Sequence, residues 1–262
     1  MSEKEKKQEQ KRKARRRFIG LSAGIAGVTM ASSAQAGLFE WCFPKGNDPV
    51  PCFLKGTRIE TQDGPVAIED IKAGDLVKTI SGSLEPVKWI GVSTTTVSQN
   101  EIVDDTVRPI RIAKDAIADG APHTDLLVSP DHAMFIDGAL VPAKYLVNGV
   151  TITQEQSAEW TEIAYYHLEL EAHNVIIAEG AAAETYRAFE NRSLFDDSTS
   201  AVDSKTIEAP YAPLLTMARR DMLAADLTAV VAPWAHRPSQ LEQIRIKLAD
   251  RADALTGFQR AA

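Results

Sequence analysis

The sequence predicts a mostly β unit over residues 52–186 followed by a helical C-terminal extension, and three observations carry that prediction. Short runs of alternating or β-rich residues recur between turn dipeptides. No long helical period interrupts them. A complete helix signature, from cap to stop, stands near the end of the chain. With 262 residues, 44% of them hydrophobic and 25% charged, the chain is long enough to bury a core as one globular domain with extensions.

Taken in order, the first 17 residues carry nine Lys/Arg against Glu3, Glu5 and Glu9. That is +6 within a formal total of −7, which leaves −13 for the rest. An acidic body argues against a nucleic-acid partner, whose phosphates require clustered Lys and Arg. After the basic segment come Arg15-Arg16-Arg17-Phe18-Ile19, an uncharged run softened by Gly20, Gly24 and Gly27, and then Ala34-Gln35-Ala36, a small-x-small cleavage site before Gly37. This order resembles a twin-arginine export signal, with Arg15 and Arg16 as the pair, Phe18 at the matching position, and Ala34 and Ala36 at the cleavage site. It implies export to the periplasm or the extracellular space, the twin-arginine machinery as a partner, and a mature chain beginning at Gly37. An uncleaved membrane anchor is the lesser alternative, because residues 18–39 approach spanning length but are rich in Ala, Gly and Ser.

Residues 37–51 hold Trp41, Phe43 and three prolines, which suits an irregular lead-in. Residues 57–61 then alternate polar and apolar, Gln62-Asp63-Gly64 turns, and residues 65–68 resume the run. Strand patterns follow at residues 76–80, 87–92 and 107–112, with Ser81-Gly82-Ser83 as a turn. Residues 125–128 lead into Ser129-Pro130-Asp131-His132 and a further run at 133–136, and Asp137-Gly138 is a strong hairpin signal before residues 139–141. A second hairpin is expected across Asn148-Gly149, joining residues 145–147 to 150–152. Residues 163–170 and 174–178 read as two more strands. Residues 187–209 are polar and loop-like. In the helix that follows, Ser239 and Glu242 form a capping box, Leu241, Ile244, Leu248, Ala252 and Leu255 share one face, and Gly257 is the stop; packing against the β unit is its expected role.

The chemistry centres on Cys52, which immediately follows Pro51. A thiolate there can attack the carbonyl just before it, turning the amide into a thioester by an intramolecular N-to-S acyl shift. The shift needs a deprotonated thiol, a donor for the oxyanion and an acid for the departing nitrogen. Ser129 and His132, three residues apart at a strand-to-turn corner, are candidates for the hydrogen bond and the proton, and His173 is a second acid or base. Cys42 offers a competing reading: export permits a Cys42–Cys52 disulfide closing a small proline-containing loop.

The run Cys52-Phe53-Leu54-Lys55-Gly56-Thr57-Arg58-Ile59 resembles the opening block of the Hint superfamily of hedgehog and intein autoprocessing domains, and Ser129-Pro130-Asp131-His132 resembles its Thr/Ser-x-x-His block. Residues 166–180, ending in an apolar strand and Gly180, are similar to the late block. Gly74-Asp75-Leu76-Val77 and Trp89-Ile90-Gly91 are like the bacterial Hint-type 2 branch. The resemblance implies a horseshoe-like β fold in which Cys52 is the nucleophile, Ser129 orients the scissile Pro51–Cys52 amide, His132 protonates its nitrogen and His173 assists. It implies no metal or organic cofactor; the substrate is the chain's own N-terminal segment, and water or a small nucleophile resolves the thioester.

Two departures shape the expected activity. Where inteins end in His-Asn, this chain has Ala182-Ala183-Glu184-Thr185, and the Glu184 carboxylate is a poor nucleophile for the ring closure that completes splicing. The ring of Pro51 hinders attack at its carbonyl, so cleavage is expected to be slow. Self-cleavage without splicing is therefore the leading expectation, and a Hint-fold structural or binding module whose chemistry has lapsed, with the disulfide, is the alternative.

Overall fold

A computed structural model describes residues 51–97, 104–155, 160–187, 209–216 and 238–257. Arg15, Arg16, Phe18, Ala34, Ala36 and Cys42, with the export and disulfide readings that rest on them, lie outside the described residues, as does the loop at 196–200.

Among the described residues the chain runs through β1 (Phe53–Leu54), β2 (Arg58–Thr61), β3 (Gly64–Ala67), β4 (Leu76–Lys78), β5 (Leu84–Pro86) and β6 (Trp89–Thr96). It continues through β7 (Ile110–Ile112), β8 (Leu126–Val128), β9 (Ala133–Ile136), β10 (Ala139–Pro142) and β11 (Ile152–Gln154). Last come β12 (Glu162–Glu169), β13 (Val175–Ala178), β14 (Ala181–Glu184) and the helix α1 (Gln240–Thr256). The expected mostly β architecture with a C-terminal helix is what forms.

The strands make two sheets. One has the order β11-β7-β8-β1-β12-β6; the other runs β10-β9-β14-β13-β2-β4-β5, with β3 folded back on β2. Every pairing between named strands is antiparallel. Although β1 is two residues long, it is internal, because Phe53 pairs with Val128 on one side and Tyr166 on the other. The longest pairing, β6 with β12, joins strands rich in Thr, Val, Ile and Tyr, which suit a pleated, half-buried surface.

Turn chemistry decides the tight connections. Asp137 and Gly138, at φ 49° and 82°, close the β9–β10 hairpin, and the Glu179-Gly180 pair, at φ 48° and 81°, closes β13–β14 in the same way. Glu179 holds the left-handed conformation while its Oε1 accepts from the Arg58 N–H at 2.7 Å.

The hairpin expected across Asn148-Gly149 does not form. Ala143–Tyr145 is a short 3-10 turn instead, and Asn148 Oδ1 accepts from the N–H groups of Val150, Thr151 and Ile152 at 3.0, 3.0 and 2.9 Å. That side-chain acceptor gathers three backbone donors a local hairpin would have used, and it frees β11 to pair with the distant β7. The Ala-rich β14 is a further strand that propensity does not announce; it forms because β9 and β13 flank it.

The helix begins at a complete capping box, with the Glu242 N–H donating to Ser239 Oγ and the Ser239 N–H to Glu242 Oε2, and it ends at Gly257 in the left-handed region. Leu241, Ile244, Leu248 and Ala252 are buried as expected, but Leu255 is 47% exposed: it falls in the last turn, past the edge of the packed face. Leu241, Ile244 and Leu248 join the same core as Phe53, Ile59, Ile110, Met134, Leu168 and Ile176. Each such fully buried side chain contributes roughly 1.5–3 kcal/mol through the hydrophobic effect. Among the described residues no helix is long and apolar enough to cross a membrane.

Candidate active site

The register around β1 assembles the site. Since Phe53 faces Tyr166 on β12 and Val128 at the end of β8, antiparallel pairing sets Cys52 opposite the next residue on each neighbour, His167 on one side and Ser129 on the other. The Cys52 N–H donates to Ser129 Oγ at 2.8 Å, and the Ser129 N–H donates to the Cys52 carbonyl at 2.8 Å. On the other side, Nδ1 of His167 donates to the Pro51 carbonyl oxygen. Both polar groups of the Pro51–Cys52 peptide are thus held by side chains, one from β12 and one from the residue just after β8.

His132 completes the group from the corner after β8. Its N–H closes a turn on the Ser129 carbonyl at 3.1 Å, and the Ala143 N–H donates to its own carbonyl at 2.9 Å. Its ring packs against Phe53 at 4.2 Å between centroids and lies 5.2 Å from the ring of His167, which in turn meets Tyr186 edge-on at 5.5 Å. His132 and Ser129 are fully buried, and Cys52 is a buried free thiol. Neither ring nitrogen of His132 makes a well-formed hydrogen bond among the described residues. An unsatisfied buried polar group is costly, and in a cluster of titratable groups it marks a candidate for proton transfer.

Burial sets the protonation states. It pushes the Cys52 thiol well above its ordinary value, and the Glu184 carboxylate pushes it further. It pushes His132 well below the usual imidazole range, helped by His167 and opposed by the nearby Pro51 carbonyl. His167 falls to about 3 for the same first reason, with the Thr185 main chain partly offsetting it. Burial thus favours a protonated thiol beside uncharged His132 and His167 rings.

His173 stands apart from the Pro51–Cys52 peptide. Its Nδ1 accepts from the Tyr211 N–H at 2.9 Å and its Nε2 lies 3.5 Å from Glu184 Oε2, while Glu184 Oε1 accepts from the Ala133 N–H at 2.7 Å. Of the sequence-derived candidates, then, Cys52, Ser129 and His132 converge at Pro51–Cys52 and His173 lies in a neighbouring pair with Glu184. His167 is the residue that sequence reasoning did not single out. No local signal in the sequence marks it: its place follows from register, since it is the residue after Tyr166, which faces Phe53 across the sheet. Among the described residues no three His, Cys, Asp or Glu side chains are grouped to hold a metal ion.

Solved structures similar to this chain include the solution structure of a bacterial intein-like domain from Clostridium thermocellum, at 18% identity over 53% of this chain and 100% of that one, with a TM-score of 0.39. The crystal structure of the gp41-1 intein is similar at 14% identity over 52% of this chain and 98% of that one, TM-score 0.36. A DnaB intein from Synechocystis sp. PCC 6803 is similar at 11% identity over 52% and 99%, TM-score 0.35. No curated protein matches the chain in sequence. The family model described as the Hint domain matches residues 51–190, from Pro51 to just past β14, and the chain therefore belongs to the Hint domain family.

Proposed function

We propose that this domain cleaves its own chain at Pro51–Cys52 through a thioester, without splicing. The single observation that supports this most is the grip on both ends of that one peptide bond, with His167 Nδ1–H on the carbonyl oxygen and Ser129 Oγ on the amide N–H. In the first step His132 takes the proton from Cys52 Sγ as sulfur attacks the Pro51 carbonyl carbon, and the electron pair of the C=O bond moves onto oxygen, where the His167 N–H stabilises it. The C–N bond then breaks as the oxyanion collapses. The amide nitrogen, held at Ser129, receives the proton from His132, leaving a free Cys52 amine and a Pro51–Sγ thioester. Water attacks that thioester, giving a Pro51 carboxylate and restoring the thiol. The ring of Pro51 makes the first step slow. Export of the product-forming chain is part of the proposal, on the strength of Arg15-Arg16, Phe18 and the Ala34-x-Ala36 site.

A Hint-fold module without turnover is the second reading, favoured by one observation: burial holds the Cys52 thiol in its protonated form. Intact-mass analysis of the purified chain, with and without dithiothreitol or hydroxylamine, separates the two. Autoprocessing predicts a fragment beginning at Cys52, lost in Cys52→Ala. It further predicts that His167→Leu slows release by about 10²- to 10³-fold, the usual loss for one oxyanion donor, while His167→Asn, which keeps an N–H near the Nδ1 position, loses far less. A folded wild type that stays intact under both treatments rules the proposal out.

A further inference from the structure

A segment outside the family match reaches the edge of this site. Residues 209–216 lie beyond the matched span of 51–190, yet through a single parallel bridge, Leu214 to Leu140, they lie along β10, the outer strand of its sheet. The Leu140 N–H donates to the Pro213 carbonyl at 2.9 Å and the Leu215 N–H to the Leu140 carbonyl at 2.8 Å. Ala212 and Leu214 pack against a small apolar cluster of Ala133, Leu140 and Val175, and the Tyr211 ring meets Phe135 edge-on at 5.9 Å. This strap covers an edge that would otherwise present unpaired backbone groups.

The strap also makes one contact that packing alone does not require. The Tyr211 N–H donates to Nδ1 of His173 at 2.9 Å, and the His173 side chain is only 1% exposed. A backbone N–H can only donate, so Nδ1 must present its lone pair and the ring proton must sit on Nε2. That Nε2 faces Glu184 Oε2 at 3.5 Å, and the other oxygen of Glu184 receives the N–H of Ala133 at 2.7 Å. Ala133 is covalently joined to His132. Contacts therefore lead from Tyr211 through His173 to Glu184, where Nε2 and Oε2 meet at 3.5 Å without a well-formed hydrogen bond between them, and on through the Ala133 N–H to the backbone that carries His132; the Glu184 charge also raises the Cys52 thiol.

We propose that residues 209–216 are a positioning strap for the autoprocessing site: by donating to His173 Nδ1, Tyr211 holds the ring with Nε2 turned toward Glu184, and so sets the placement of Glu184 and His132. The effect on rate rests on the autoprocessing reading; the effect on the His173 ring does not. Tyr211 and His173 are positioning residues here, since neither touches the scissile bond. The strap makes a part of the chain outside the Hint domain a requirement for efficient cleavage.

Two measurements on the full chain test this. The state of the His173 ring is read from its 15N shifts in the Cys52→Ala background, where no cleavage intervenes, and the cleavage rate is read by intact mass with Cys52 restored. Tyr211→Pro removes the donor; Tyr211→Ala keeps it and removes the ring. The Glu184 carboxylate favours the proton on Nε2 in either variant, so the readout is Nδ1. The proposal expects Tyr211→Pro to move the Nδ1 shift toward that of an acceptor that has lost its donor and to slow cleavage at least about tenfold, as small misplacements of reacting groups do. Tyr211→Ala should keep the wild-type Nδ1 shift. If Tyr211→Pro leaves the Nδ1 shift unchanged, the strap does not hold His173. If it moves the shift but cleaves at the wild-type rate, His173 does not position the site; either result overturns the proposal. A wild type that never cleaves refutes autoprocessing and the rate effect with it, and the Nδ1 shift then decides the hydrogen-bond claim by itself.

Discussion

The imidazoles at Pro51–Cys52 carry a cost that pH exposes. His132 and His167 are buried with their proton affinities depressed, His167 to about 3, whereas in the unfolded chain both bind protons near the ordinary 6.5. Between those values the unfolded state holds more protons than the folded one, so folding stability falls as pH drops below about 6.5. The stability at stake is fully present above that value, and each histidine removes roughly 1.4 kcal/mol per pH unit across its window. We expect the urea midpoint to fall between pH 6.5 and 5, before most carboxylates titrate, and the slope to become shallower in His167→Asn, which cannot take up the proton. An unchanged slope in the variant would mean that His167 is not buried uncharged. Of the site itself, Cys52, Ser129 and His132 were legible because each belongs to a local motif. His167 was not, because its role depends on which residue of β12 lies opposite Cys52, and register across 116 positions of sequence has no local signature.

Among the elements, the turn between β13 and β14 is the one with least freedom. A Cβ at Gly180 would lie 2.7 Å from the Gly120 carbonyl oxygen, in a residue already at φ 81°. Gly138, in the corresponding turn of β9–β10, has φ 82° and open space around it. Both Gly→Ala changes incur the left-handed cost of about 1 kcal/mol, but Gly180→Ala must also move backbone, which adds roughly 1–3 kcal/mol. Chemical denaturation should rank Gly180→Ala well below Gly138→Ala in stability; equal losses would show that the 120–123 loop yields freely. The two turns also show how element-level reading succeeds and fails. Asp137-Gly138 announces its hairpin, whereas Asn148-Gly149 looks alike and makes none, because the Asn148 side chain captures the three donors that follow it.

For the molecule as a whole, the β unit and the helix share one core although the family match ends at residue 190. Leu248 is fully buried in that core, and the Asn148 side-chain amide reaches its carbonyl at 3.4 Å. Lys247 pairs with Asp137 at 2.7 Å and Arg251 with Asp119 at 2.6 Å, but these are exposed contacts worth little beside the apolar face. Leu248→Ala should therefore destabilise the domain by about 2–5 kcal/mol and lower a single unfolding transition seen alike by far-UV circular dichroism and tryptophan fluorescence. Loss of helix signal ahead of the fluorescence change would mean that α1 folds as a separate unit. Local pattern was enough for the class of fold, most strand positions, the capped helix and the candidate residues Cys52, Ser129 and His132, because those depend on residues near one another in the chain: alternation, turn dipeptides, a capping box. What lies opposite what came only from the three-dimensional arrangement: His167 on the Pro51 carbonyl, His173 with Glu184 and the strap, β11 on β7, and a strand made of Ala181–Glu184. Those follow from sheet register and from competition for backbone hydrogen bonds, which are settled only when distant strands pair.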